Sequence, residues 1–252
     1  MDESRPTFPR DPEAPSRGPP PAVVAARPWR PEDLGFAGEV VPVELVDDVA
    51  CLVGTGLADV RAARALGRMA GSLWLSVEAL RALETAGARA DFHARLADAG
   101  LALISLDTVV YGELEQRPVK EGVFLPDWAD ERRLRYTLAA AEVLADGLAR
   151  DVPEGVLITV PLGWRASWSG EKENRSAGHL LEAARALDAL AARTGQLVRL
   201  CLEPEPGAVL ERSDQTSAFY RGWLMPAADA LGYRASWCTA TSASASTPAT
   251  RR

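Results

Sequence analysis

The chain has 252 residues, 47% of them hydrophobic and 25% charged, an ordinary balance for a globule able to bury a sizeable core. Its 28 Lys and Arg against 35 Asp and Glu leave a formal net charge of −7; without a concentrated basic face this argues against a nucleic-acid surface and favours small metabolites or other proteins as partners. Cys51, Cys201 and Cys238 lack ligand spacing and suit reduced thiols of a cytoplasmic protein, and no apolar run approaches the roughly 20 residues of a membrane helix or the pattern of a secretory signal.

Residues 1–31 carry nine prolines and little apolar content. Such a segment cannot offset its ordering entropy by burial and is expected to be a disordered arm. From residue 32 short apolar runs alternate with longer stretches of helical period, the pattern of βα units around a parallel sheet. Glu39–Val46 is the first candidate strand. Asp59–Met69 reads as a helix, with Val60, Ala63, Leu66 and Met69 on one stripe. Leu73–Leu75 is a short strand, after which Ser76 caps a helix through Leu83. Asp91–Ala99 is a helix closed by Gly100, and Leu101–Leu106 a strand. A long connection from Asp107 to Asp130 precedes a helix at Glu131–Ala149. Val156–Val160 is a strand, Ser176–Arg193 a helix ended by Gly195, and Leu197–Leu202 a strand. Asp214–Leu231 reads as a helix interrupted near Pro226, and Tyr233–Cys238 begins another strand. Residues 239–252 are Ala, Ser and Thr with a terminal Arg-Arg, expected to be a disordered tail.

Chemistry concentrates in the loops after strands. Leu202 runs into Glu203-Pro204-Glu205-Pro206-Gly207, where Pro204 ends the strand and leaves Glu203 at its carboxyl end, the edge at which parallel α/β proteins bind ligands. Alternation along the extended end predicts Glu203 toward a pocket and Glu205 toward solvent. The Asp107–Asp130 connection is long enough to be a binding loop and carries Asp107, Tyr111, Lys120, Asp127 and Trp128 as candidate lining groups; Asp127 equally fits the start of a helix. In Pro161–Trp168, Trp164 and Trp168 flank Arg165, an arrangement suited to stacking on a flat ligand or sugar ring with an anionic group on the arginine. His93 and His179 read as helix-surface residues. No GxSxG elbow, P-loop or GxGxxG is present, and Gly54-Thr55-Gly56 is too short for a phosphate cradle.

Taken in order, Val119-Lys120 through Pro126-Asp127-Trp128, Arg133-Leu134-Arg135-Tyr136-Thr137-Leu138, Pro161-Leu162-Gly163-Trp164 and Leu202-Glu203-Pro204-Glu205-Pro206-Gly207 resemble the EboE-type metabolite-traffic proteins. These are similar to xylose-isomerase-like sugar isomerases and epimerases of TIM-barrel fold. The match runs from about Gly71 to Leu210. It implies a TIM-barrel-like α/β domain over residues 32–238, handling a small metabolite or secondary-metabolite precursor beside companion proteins of the same pathway. By position, Glu203 takes the role of metal ligand and catalytic carboxylate, with Asp107, Tyr111, Lys120, Trp128, Trp164, Arg165 and Glu205 lining the substrate. An oxygen-only donor set favours Mg²⁺ or Mn²⁺ over Zn²⁺.

The family's Asn-Gly-Phe-Pro-Tyr-Gly-like turn is here Asp107-Thr108-Val109-Val110-Tyr111-Gly112, and its Cys-Tyr-Asp-Xaa-Cys-His-like segment is Tyr233-Arg234-Ala235-Ser236-Trp237-Cys238-Thr239, with neither Asp nor His. With some five or six strands counted, an eight-stranded barrel of about 250 residues is expected to be incomplete, and its open edges to favour self-association. Two functions stand: a metal-dependent isomerase- or epimerase-like enzyme, or a binding protein that has lost that chemistry.

Overall fold

The computed structural model describes residues 35–38, 47–48, 56–112, 121–152 and 154–232. Five strands are described there: β1 (Phe36–Ala37), β2 (Met69–Trp74), β3 (Leu101–Asp107), β4 (Glu154–Thr159) and β5 (Leu197–Leu202). All neighbours pair in parallel, in the order β1-β2-β3-β4-β5. A strand order that never reverses has no topological switch point, so right-handed crossovers lay every connecting helix on one face. That winding is compatible with part of a TIM-like barrel. The expected strands Glu39–Val46 and Tyr233–Cys238, the arm 1–31 and the tail 239–252 lie outside the described residues.

The connecting helices are α1 (Ala58–Ala63), α2 (Val77–Ala82), α3 (Ala86–Asp98), α4 (Glu131–Gly147), α5 (Gly170–Thr194), α6 (Ser213–Phe219) and α7 (Met225–Ala230), a π-helical turn joining the last two at Tyr220–Leu224. Their ends follow from local chemistry. Ser76, Thr85, Asp130 and Ser169 are N-caps whose side chains accept from Ala79, Ala88, Arg132 and Lys172 N–H, each satisfying an orphan donor. Gly195 closes α5 at φ 72°, a left-handed conformation that carries little strain only without a Cβ. None of these helices is long and apolar enough to cross a membrane.

The expected helix Asp59–Met69 is corrected. The chain leaves helix at Ala63, passes Ala65 at φ 52°, and Met69 is already the first residue of β2, paired with Leu101. Two other helices begin earlier than expected, α3 at Ala86 instead of Asp91 and α5 at Gly170 instead of Ser176.

Sheet faces are set by strand alternation. A Cβ on Gly155 would lie 2.9 Å from both Leu144 and Leu148, so α4 crosses β4 there, and Gly155, Leu157 and Thr159 face the helices. Val198, Leu200 and Leu202 join them from β5, and Leu106 from β3, each buried. The opposite face carries Ser105, Val156, Ile158 and Arg199, all half-buried, with Arg199 and Glu154 paired at 2.5 Å. Between Gly71 and Ser72 the β2–β3 register shifts, so that Leu103 and Ser105 are consecutive partners and Ile104 is passed over, a bulge in β3.

His93, expected on a helix surface, is half-buried between α3 and α4, with Nε2 donating to Val143 O at 2.9 Å. Burial lowers its pKa, against the opposing pull of the Val143 carbonyl and Asp146. The unfolded chain therefore takes up this proton first, near 6.5, and stability falls as pH drops from there through the lowered native value. We expect the urea midpoint to decline through that window, and the decline to flatten in His93→Gln; an unchanged slope in the variant would place its origin elsewhere.

Candidate functional site

The strand carboxyl ends deliver three loops to one side of the sheet. The first leaves β3 at Asp107, whose Oδ1 accepts from Val109 N–H at 2.6 Å. It is pinned from beneath by Arg133 of α4, which is fully buried. The guanidinium donates to Thr108 O, to Val109 O at 3.0 Å and, through Nε, to Pro126 O at 2.8 Å. Burial lowers its pKa to about 10, opposed by the rings of Tyr136 and Tyr111 and the carboxylates of Asp107 and Asp127, so it remains a cation at neutral pH. Tyr136 OH lies 2.7 Å from Leu75 O and 2.8 Å from Val110 O, and Trp74 Nε1 donates to Val110 O at 2.6 Å.

The second and third loops, after β4 and β5, are zipped together. Arg165 N–H donates to Gly207 O at 3.0 Å and Val209 N–H to Gly163 O at 2.9 Å, around an antiparallel bridge of Trp164 with Ala208. Glu211 accepts from Gly207 N–H at 2.7 Å and pairs with Arg165 at 2.8 Å. Those two donors, the amide first, hold its carboxyl below the usual range. The Trp164 indole packs over Gly207 and against Phe124, ring centroids 5.5 Å apart.

Of the two strand-end carboxylates it is Glu205, expected toward solvent, that is the more shielded. Glu203 is exposed and Glu205 half-buried. Strand alternation does not carry past Pro204, because the ladder ends at Glu203 N–H, which donates to Thr159 O at 3.0 Å; Glu205 N–H instead turns back to Leu210 O at 3.3 Å. The Glu205 carboxyl is raised above its usual range, first by burial and then by the charge of Asp107. Asp107 sits opposite Ile158 on β4, on the face away from the helices. Carboxylates from the β3 and β5 ends thus share one electrostatic neighbourhood across β4.

The remaining candidates divide. Tyr111 is half-buried, its ring 5.0 Å from that of Tyr136. Trp128 is fully buried, a core position of the loop whose backbone N–H donates to Leu162 O at 2.9 Å. Arg165 is engaged by Glu211, and Lys120 lies outside the described residues. Among the described residues no three His, Cys, Asp or Glu side chains form a group able to hold an ion. Glu203, the ligand the resemblance implies, supplies one carboxylate where Mg²⁺ or Mn²⁺ takes about six oxygens, so Asp107 or the substrate would have to complete the shell.

Tyr111 and Asp127, both expected to line a pocket, border a cleft of about 740 Å³ together with the Leu125–Ala129 loop, the first turn of α4 and the start of α5, whose contribution sequence reasoning missed. Asp127, 4% exposed, forms part of its wall. Its Oδ1 accepts from Ala129 N–H at 3.0 Å and its Oδ2 from Lys172 Nζ at 2.7 Å. Lys172, Arg175 and His179 all border the cleft. Their i, i+3, i+7 spacing makes a single stripe, legible only once α5 is started at Gly170.

No family model matches the chain, and no curated protein matches it.

Proposed function

We propose that the protein binds a small hydroxyl-bearing metabolite at the carboxyl ends of its strands, as an EboE-type relative of the xylose-isomerase-like sugar isomerases and epimerases, in the cytoplasm beside companion proteins of its pathway. The observation that carries this reading is the coupling of Asp107 and Glu205 across the end of β4. Burial first and then the Asp107 charge raise the Glu205 carboxyl, and carboxyl groups at a strand end accept hydrogen bonds from hydroxyl groups. The motif order that resembles the family lends further support.

Removing the Asp107 charge tests the coupling. In Asp107→Asn the Glu205 titration, followed by carboxyl ¹³C resonances, is expected to move down but to stay above the ordinary range, since burial is the larger cause. An unmoved Glu205 would separate the two groups. The ligand class is tested by thermal shift with aldoses, ketoses and polyols, each with and without Mn²⁺. A rise in Tm that disappears in Glu205→Gln supports the reading, and no shift with any probe overturns it. Where a sugar binds, turnover to its isomer or epimer assigns an enzyme, and binding without turnover assigns the alternative, a non-catalytic metabolite-binding protein.

A further inference from the structure

We propose that the cleft between the starts of α4 and α5 is a second binding site, one that takes a compact oxyanion, carried by its ligand as a phosphate or a carboxylate. The inference is independent of what binds at the strand ends.

The cleft's charges are arranged asymmetrically. Its acids are already engaged within the fold: Asp127 by Ala129 N–H and Lys172, and Asp130 by Arg132, whose backbone N–H it accepts at 2.9 Å as the α4 N-cap and whose guanidinium it grips with both oxygens. Glu131 pairs with Arg135 at 3.3 Å, the side chains 63% and 66% exposed, and is the least firmly engaged of the three acids. Of the cations, Lys172 and Arg132 are the partners of Asp127 and Asp130, and Arg175 is more loosely held. Among the described residues Arg175 pairs only with Glu171, on the same helix, the side chains 59% and 76% exposed. A pair that open to water contributes little, so Arg175 exchanges Glu171 for an incoming anion at small cost.

Lys172 gives the stripe a fixed point. Its ammonium is held by the buried Asp127 and lies 5.8 Å from the centre of the Trp168 ring. At the other end, His179 Nδ1 lies 2.8 Å from Trp128 O. A carbonyl only accepts, so Nδ1 carries the proton; in the neutral ring Nε2 is then an acceptor, which meets a protonated oxygen of the ligand rather than the oxyanion itself. The start of a 25-residue helix adds its positive end to the same wall. At about 740 Å³ the cleft is within the usual range for small-molecule sites.

The chain has two histidines, which makes the test direct. His179 borders the cleft, while His93 lies between α3 and α4 and serves as the internal control. Inorganic phosphate and, separately, acetate are titrated into the protein at constant pH and ionic strength, and the imidazole C–H resonances are followed by NMR. A saturable movement of the His179 signals with His93 unmoved is expected for at least one of the two anions. A preference for phosphate or acetate then identifies the group the ligand carries. In Arg175→Gln, an exposed position whose loss leaves the fold intact, the half-saturation concentration is expected to rise about fivefold or more, the loss of one charge-assisted contact. His179 signals unmoved by both anions, moved equally with those of His93, or moved equally in Arg175→Gln would each overturn the site.

Discussion

Arg133→Met is expected to lower the unfolding free energy by about 3 kcal/mol or more, the largest single-residue effect anticipated in this protein. The argument turns on what the guanidinium leaves behind. Its partners are main-chain carbonyls of Thr108, Val109 and Pro126, which no second substitution can remove. Each buried acceptor left unpaired costs about 1–3 kcal/mol, partly returned because a desolvated cation is no longer held in the core. For a chain of this size the melting temperature should fall by roughly 6–12 °C. Urea denaturation of wild type, Arg133→Met and Arg133→Lys measures it. Lysine restores the charge without the planar fork and should recover only part of the loss. A decrease below about 1 kcal/mol in Arg133→Met would mean that water reaches these carbonyls readily, and the loop after β3 would not depend on the arginine for its shape.

The second large effect is expected at Gly207. Its φ of 84° excludes most side chains, and an added Cβ would sit 2.3 Å from the Trp164 ring. Gly207→Val combines backbone strain of about 1–3 kcal/mol with a steric conflict of similar size, against a contact that aligns the loops after β4 and β5. A total destabilisation of about 2–5 kcal/mol follows. The two contributions are separable: Trp164→Ala opens space for the valine without relieving the strain. The double variant should therefore be less destabilised than the sum of the singles by at least about 1 kcal/mol. Additive energies would show that the indole does not oppose the new side chain.

How far the sequence could be read depended on whether a segment's own chemistry agreed with its environment. β5 was legible from Leu197 to Leu202 because Gly195 closes the preceding helix and Pro204 stops the ladder. The start of α5 was not: Gly170–Arg175 is polar throughout, so no apolar stripe announces a helix, although Ser169 as a cap and Glu171 and Glu173 in the first turn were the available signals. That omission concealed the stripe of Lys172, Arg175 and His179.

Arg133 was illegible for a different reason. A charged residue in an amphipathic helix ordinarily faces water, and its burial is dictated by carbonyls of a loop more than twenty residues earlier in the chain. Met69 shows the converse error. It continued the spacing of Val60, Ala63 and Leu66 by coincidence, while pairing with Leu101 drew it into the sheet. Tyr111 and Asp127 are legible as lining groups and border the cleft at the start of α5, whereas which of Glu203 and Glu205 is shielded depends on the turn after Pro204.

The bulge at Ile104 makes the face on which β3 ends depend on its pairing in a way that substitutions cannot probe. Leu101 and Leu103 point toward the helices from odd-numbered positions, yet Leu106 does so from an even one, because the extra residue inverts parity halfway along β3. Counting onward without it, Asp107 would fall among the leucines, its carboxylate directed into the helix layer. A β3 of the same length paired without the bulge would thus end in a charge that the core must reject. Deleting the bulged residue removes the extra residue and the parity inversion together, so a related chain without it keeps the acid next to its last buried leucine, and the position of the acid relative to that leucine, rather than its distance along the chain, is the quantity to compare.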